Sequence, residues 1–282
     1  MEIRHRESGA LLRTVETESL AGADLRDDDL ANADLRGVDL GGAWLLGTVL
    51  EGADLSGARL VGANLARAHL EGANLEGADL TGAKFGDGCR ASGTRMAGCN
   101  LNGARVDCCD MRYTDLHGAS LREAHVCRTD LSGASLRQVD FTGATFGGTL
   151  LIDVDLREAE LSRAFLCNTH LNGAQLAHAR LIGAKLGGDN CIPAILNLAN
   201  LSGADLTGAD LRGVSLLDAN LHHATLTNAD LSGALLMGAV LQHAVVTGAN
   251  FADVELVTVN VAFANFSQAR NVEMPAFKLN VR

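Results

Sequence analysis

Residues 52–82 read GADLSGARLVGANLARAHLEGANLEGADLTG, and leucine occupies every fifth position of this stretch. The same step holds over residues 20–85 and 96–266, where fourteen and thirty-five such positions carry Leu, Phe, Val or Met, with Cys191 as the one exception. A small residue, most often Ala, stands two places before nearly all of them, and Gly often follows two places after. The chain is therefore built from units of the form Ala-(Asp/Asn)-Leu-x-Gly.

A period of five excludes both a long helix and a long flat strand. In a helix, which turns about 100° per residue, the leucine stripe would drift by about 140° per unit. In a strand, an odd step would send successive leucines to opposite faces. Both apolar positions face one interior only if the chain bends once per unit, with Gly easing the corner. The sequence therefore predicts a coiled chain whose stacked turns pair their backbones about 4.8 Å apart.

These units resemble those of pentapeptide-repeat proteins, and the resemblance covers residues 20–266. It implies an all-β fold, a right-handed quadrilateral β-helix with one unit on each face. Four units per coil then give about twelve coils and a rod on the order of 60 Å long. Side chains twenty residues apart are expected to stack on one another.

Interruptions of the repeat predict five segments. The first residues alternate around Gly9 like two strands of a hairpin, which would cover the open edge of the first coil. Between the two repeat registers eleven residues replace the expected ten. The predicted segments are 1–19, an N-terminal cap formed by a β-hairpin; 20–85, β-helix in a first register; 86–95, a bulge or short loop with a one-residue insertion; 96–266, β-helix in a second register; and 267–282, a C-terminal cap.

Two acidic residues fall on the inward small position. They are Asp28 and Asp189, and the second belongs to an irregular stretch, 189–193, that keeps the five-residue register. A buried carboxylate without a partner is costly, so each needs a partner or an outward excursion of the chain. We expect local distortion at both.

The cysteine pattern suggests no disulfide framework. Seven cysteines are an odd number, and no paired spacing can be recognised among them. Cys99, Cys109 and Cys191 are expected to behave as small core residues, whereas Cys108 points outward. Together with the lack of an apolar leader or membrane-length run, this pattern predicts a reducing compartment, the bacterial cytoplasm.

An interior filled with leucine offers no concave pocket in which unlike residues converge. The chain is therefore predicted not to be an enzyme, and to have no catalytic residues, cofactor or metal. The nearest approach to a metal site is His223 and His243, which should stack about 5 Å apart with His222 beside them. Scattered surface histidines are the simpler interpretation.

The charge balance of −11 argues against direct binding of nucleic acid or docking on anionic lipid, and no membrane insertion is expected because no apolar run is long enough. One predicted outward column is partly acidic, and its members are Asp110, Asp130, Leu150, His170, Asn190, Asp210, Asp230 and Asn250. Some pentapeptide-repeat proteins, such as the Qnr-type quinolone-resistance proteins, mimic B-DNA and bind DNA gyrase. The resemblance thus implies DNA gyrase as an alternative partner. Mixed charge and the lack of long projecting loops or a dimerisation helix count against it.

Apolar residues at outward positions offer the other functional clue. Leu217, Met237 and Val257 are expected to stack, with Ile195 and Leu235 in the neighbouring column. A contiguous apolar patch usually marks an interface, although a surface under little selection would look the same. The sequence favours a structural scaffold or protein–protein interaction rod, whose partner is another protein or the chain itself.

Overall fold

The computed structural model describes residues 1–86 and 93–276. Its named elements are the strands β1 (Glu2–Arg4) and β2 (Leu11–Thr14) and a 3-10 helix at Phe266–Gln268. Elsewhere in these ranges the backbone turns at five-residue intervals and is joined by isolated bridges. The chain divides into two compact units, Met1–Ala144 and Thr145–Arg282.

Parallel bridges twenty residues apart join successive coils in each unit. Asp34 pairs with Asp54, and Asp54 in turn pairs with Asn74. In the second unit Asp210 pairs with Asp230, which pairs with Asn250. Twenty residues per coil correspond to four five-residue units, so the predicted stacking is confirmed within both units.

The two regular apolar positions form the interior of each coil. The leucine and alanine columns are essentially inaccessible to solvent, as at Leu55 and Ala53. At the corner two residues after most of these leucines, the backbone enters the left-handed region, with φ of 63° at Gly57 and 59° at Arg67. A side chain in this region costs roughly 1–2 kcal/mol, which explains why the unit prefers Gly there.

Threonine and cysteine also occupy the inward small position, because their side chains can donate to the neighbouring coil. Thr48 Oγ1 donates to the Leu25 carbonyl at 2.7 Å, and Cys109 Sγ donates to the Leu80 carbonyl at 3.0 Å. Burial raises the pKa of the Cys99 and Cys109 thiols to about 12. The prediction that these two cysteines are core residues is confirmed.

The first interruption lengthens one coil by six residues. His69 bridges Arg95 and Lys84 bridges Asp110, each twenty-six residues on rather than twenty. Thr94 N donates to the Phe85 carbonyl at 3.0 Å and so closes the turn on the far side of the interruption. Most of the loop predicted at 86–95 lies outside the described residues.

The second interruption lengthens a coil by five residues, so the five-residue count is kept, but the expectation that side chains twenty residues apart stack was wrong across it. His170 bridges Ile195 and Lys185 bridges Asp210, each twenty-five residues on. The Ala194 amide donates to the Leu186 carbonyl at 2.8 Å, whereas in the regular units this bond spans only three residues. One complete unit between these two residues therefore stands outside the regular coil.

Cys191 belongs to this extra unit and is not a core residue, contrary to expectation. It is partly exposed and forms a disulfide with Cys167, with a Cα–Cα distance of 5.4 Å. The expectation failed because a whole inserted unit leaves the five-residue count unchanged while moving its own residues out of the interior. The prediction that the cysteines form no disulfide was likewise wrong. Asp189, in the same unit, is 85% exposed at its side chain and lies 3.0 Å from Arg212.

The other inward acid is held by the N-terminal hairpin. Strands β1 and β2 pair in antiparallel fashion, and Arg13 of β2 lies 3.1 Å from the Asp28 carboxylate. The Asp34 amide donates to the Arg4 carbonyl at 2.8 Å, where the corresponding amide of later coils donates to the coil before it. The hairpin thus pairs with the edge of a coil and gives Asp28 an ion-pair partner, although the buried Asp28 Oδ2 accepts no hydrogen bond from the described residues.

Candidate protein-interaction surface

All five residues predicted to form an interface lie in the second unit. Ile195, Ser215 and Leu235 follow one another in a bridged column, so a serine separates the two apolar residues. Ile195 is half-buried, whereas Leu235 is more than half exposed. This column is therefore apolar at two of its three coils.

The neighbouring outward column carries the larger apolar side chains. Leu217 is half-buried, and Met237 and Val257 are more than half exposed. The Asp218 amide donates to the Met237 carbonyl at 2.9 Å, which fixes the two coils against each other. The backbone therefore presents these side chains in a fixed arrangement.

Three of the predicted residues meet around one depression of about 290 Å³. Leu217, Leu235 and Met237 line it, and Ala234 and Leu236 contribute to its wall. The carboxylates that also line the depression belong to Asp253 and Glu255. The structure thus joins the centre of the predicted patch into a shallow apolar recess with an acidic border.

Leu198 is an exposed apolar residue that the sequence analysis missed. It is 66% exposed and occupies a corner with φ of 61°, where most units carry Gly. Its amide donates to the Leu217 carbonyl at 2.9 Å, so it adjoins the recess. A leucine at a glycine position was the available signal. We call the six residues Ile195, Leu198, Leu217, Leu235, Met237 and Val257 the apolar face.

The predicted acidic column does not exist as written, because the extra unit shifts its second half. His170 pairs with Ile195 instead of leading to Asn190. In the second unit the column through Asp210 consists of Thr145, Phe165, Lys185, Asp210, Asp230, Asn250 and Arg270. This column therefore holds only two acids, adjacent to each other, with a basic residue toward each end.

Many surface carboxylates are also paired with an arginine two residues on. The guanidinium of Arg26 beside Asp24 lowers the pKa of that carboxyl to about 2, and Arg36 likewise lowers the pKa of Asp34. The same two-residue pairing recurs through both units. Its members are Asp24–Arg26, Asp34–Arg36, Asp110–Arg112, Asp155–Arg157 and Asp210–Arg212, at 2.5–2.8 Å.

The histidines considered for metal binding form a ring stack. The His223 and His243 rings lie 4.8 Å apart and nearly parallel, as expected, and Phe263 stacks on His243 at 4.7 Å. His222 approaches His223 edge-on at 4.2 Å. Lone pairs of parallel imidazoles point side by side rather than at one ion, so this arrangement does not suit a metal.

No helix within residues 1–86 and 93–276 has both the length and the apolar character to cross a bilayer.

Stacked five-residue units with buried leucine and alanine columns define a β-solenoid. The chain belongs to the pentapeptide-repeat family, and its fold is the right-handed quadrilateral β-helix. The family described as Pentapeptide repeats matches in eight copies, over residues 19–52, 48–87, 87–122, 109–148, 149–188, 194–233 and 234–270.

Solved structures of the same family resemble the chain. HetL, a pentapeptide repeat protein involved in heterocyst differentiation regulation from the cyanobacterium Nostoc sp. strain PCC 7120, is 30% identical, covers 84% of this chain and 89% of its own, and has a TM-score of 0.29. Full-length QnrB1, a plasmid-mediated fluoroquinolone resistance protein, is 17% identical, with coverages of 84% and 93% and a TM-score of 0.34. No curated protein matches significantly.

Proposed function

We propose that the chain is a non-enzymatic scaffold that binds another protein, or a second copy of itself, through the apolar face. The observation that carries the proposal is the recess lined by Leu217, Leu235 and Met237, with exposed Leu198 beside it. Burying one such side chain contributes roughly 1.5–3 kcal/mol, so a few of them suffice to anchor a partner.

The recess suits an apolar anchor bordered by positive charge. Shallow recesses that accept one or two aromatic or aliphatic side chains are the usual centres of interfaces. Asp253 and Glu255 line the same recess, and a partner with Lys or Arg around its apolar anchor would complement them. The coil backbone is hydrogen-bonded throughout this region, so binding requires little ordering of the chain.

A non-enzymatic role is consistent with the burial of two of the four free cysteines among the described residues. Cys99 and Cys109 are buried and their raised pKa keeps them protonated near neutral pH. A protonated thiol in the core is neither a nucleophile nor accessible to substrate.

The test is the double variant Leu217→Asp/Met237→Asp, followed by light scattering and by affinity capture with quantitative mass spectrometry. Phe165→Asp/Val245→Asp is the matched control, because both residues are exposed in the same unit but lie outside the apolar face. We expect the first variant to lose self-association or its captured partner, and the control to keep it. A monomeric wild type whose captured proteins are the same in both variants would contradict the proposal.

Gyrase binding by DNA mimicry has less support. A DNA mimic presents a continuous run of negative charge, but Lys185 and Arg270 lie in the column through Asp210. Arg212 also pairs with Asp210 at 2.8 Å. We therefore favour the apolar face.

A further inference from the structure

Three potential metal ligands meet on the surface of the first unit. Glu51, His69 and Glu71 each offer one donor atom, and the three atoms lie within 4.8 Å of one another. His69 Nδ1 lies 3.7 Å from Glu51 Oε1. This group is remote in sequence from the apolar face and plays no part in the proposal above.

The coil backbone holds the three residues in place. The Gly52 amide donates to the Glu71 carbonyl at 3.0 Å, which fixes the two glutamates on adjacent coils. The Leu50 amide donates to the His69 carbonyl at 2.7 Å. Only side-chain rotations remain to be ordered on binding, which lowers the entropic cost of forming a site.

The column of the two glutamates gives them free space on both sides. The Asn32 amide donates to the Glu51 carbonyl and the Gly72 amide donates to the Ala97 carbonyl, so the neighbouring coils carry Ala31 and Ala97 at this position. Neither methyl group can reach over the carboxylates. No side chain of this column therefore prevents the two glutamates from turning toward a shared ion.

One carboxylate oxygen of this group lacks a partner that a cation would supply. Arg95 lies 3.7 Å from Glu71 Oε1, and Arg6 donates to the Gly52 carbonyl beside Glu51, but neither places a donor on the second Glu71 oxygen. Glu71 Oε2 is shielded from solvent and has no hydrogen-bond partner among the described residues. A shielded carboxylate oxygen without a donor is costly, and a metal ion would satisfy it.

We propose that Glu51, His69 and Glu71 bind a divalent transition-metal ion such as Zn²⁺. One imidazole nitrogen with two carboxylate oxygens is a donor set that Zn²⁺ accepts, whereas Mg²⁺ and Ca²⁺ prefer oxygen alone. Tetrahedral bonds of about 2.1 Å place donor atoms about 3.4 Å apart, so the donors need to move together by about 1 Å. Glu51 is more than half exposed, which leaves a fourth position open to water or to a partner's ligand.

The test is titration of the metal-free full-length chain with Zn²⁺ by isothermal calorimetry, with Co²⁺ absorption as a second readout. We expect His69→Gln and Glu71→Gln to lose one saturable site, with a fall in affinity of about tenfold or more. Arg95→Gln should bind more tightly, because a competing cation is removed. Glu76→Gln is the matched control, an exposed glutamate at the same position of the next unit.

Thiols and other histidines contribute the same background in every variant, so the difference between variants isolates this site. Circular dichroism checks that each variant keeps its fold. The proposal is overturned if wild type and His69→Gln bind Zn²⁺ equally, or if Glu76→Gln loses as much binding as Glu71→Gln.

Discussion

The inward small position shows how single residues set the stability of a coil. Thr48 and Thr114 are both fully buried there, but only the Thr48 hydroxyl finds an acceptor, the Leu25 carbonyl at 2.7 Å. The Thr114 hydroxyl has no hydrogen-bond partner among the described residues. A buried hydroxyl without a partner costs more than the methyl group of valine in the same space.

Valine substitutions at the two threonines should therefore have opposite effects. Thr114→Val is expected to raise the free energy of unfolding by about 1 kcal/mol, and Thr48→Val to lower it by about 1 kcal/mol. Thermal and denaturant unfolding of both variants beside wild type measures the difference. Destabilisation by Thr114→Val as large as that by Thr48→Val would show that its hydroxyl is satisfied after all.

The histidine stack predicts that the stability of the fold depends on pH. Partial burial, and next the neighbouring His223 and His243, lower the pKa of His222 below its ordinary value of about 6.5. The unfolded chain therefore takes up this proton more readily than the folded one, so stability should fall as the pH drops through about 6.5 and below. Above that range the group is neutral in both states and has no effect.

Titration followed by NMR measures the pKa of His222 directly. We expect the His222 pKa to lie below that of a free histidine and to rise in the double variant His223→Gln/His243→Gln, because both neighbouring charges are removed. His170, outside this stack, serves as the internal reference within the same spectra. A His222 pKa that does not change in the double variant would leave burial as its only cause.

At the scale of elements, the extra unit is held by the bond between Cys167 and Cys191, which closes a loop of 24 residues. Restricting the unfolded chain in this way is worth about 3 kcal/mol in the chain-entropy view. Cys191→Ser should lose stability of that order, whereas Cys108→Ser, at an exposed free thiol, should lose none. Unfolding with and without reductant provides the measurement. Reduced wild type should behave like Cys191→Ser, and unchanged stability on reduction would be contrary evidence.

The extra unit also shows which part of the fold the sequence does not predict. The five-residue period specifies the coil, since leucine and alanine must share one interior, and the coil-to-coil pairing follows from it. Of the six residues added after Phe85 only one disturbs the five-residue count, so the sequence shows an insertion of one residue where the coil gains six. The five residues added after Leu186 restore the count and leave no sign of it. For this reason Cys191 was predicted to lie in the core, and the residues beyond it were predicted to stack on columns that are displaced by one unit.

The candidate surface was predictable only in part, for a related reason. Leu217 and Met237 lie on the same side of the extra unit, so their stacking at twenty residues survives it. Leu198 was not predicted, because it stands at the corner position, where the repeat pattern specifies Gly and does not indicate whether another side chain is functional. The metal group needs the side chains of Glu51 and Glu71 to turn toward His69, which the repeat period does not specify.

At the scale of the whole molecule, charge distribution separates a protein scaffold from a DNA mimic. The chain carries a net charge of −11, but 23 basic residues accompany its 34 acids. The repeated Asp-x-Arg pairs place many of these bases directly on carboxylates, at 2.5–2.8 Å. Each Asp-x-Arg pair is neutral as a whole, so the surface carries dipoles rather than a continuous stripe of negative charge. A positively charged DNA-binding groove attracts such a surface only weakly.

We therefore expect the purified chain, at micromolar concentration, to leave DNA gyrase unaffected. Supercoiling of relaxed plasmid should proceed at the rate seen without the chain, and fluoroquinolone inhibition should not change. The variant Arg26→Gln/Arg36→Gln/Arg112→Gln, in which three paired carboxylates lose their cation, serves as a gain-of-charge control within the first unit. If unmodified chain slows supercoiling or protects gyrase from the drug, charge pairing does not prevent mimicry. Function would then lie on the charged columns rather than on the apolar face.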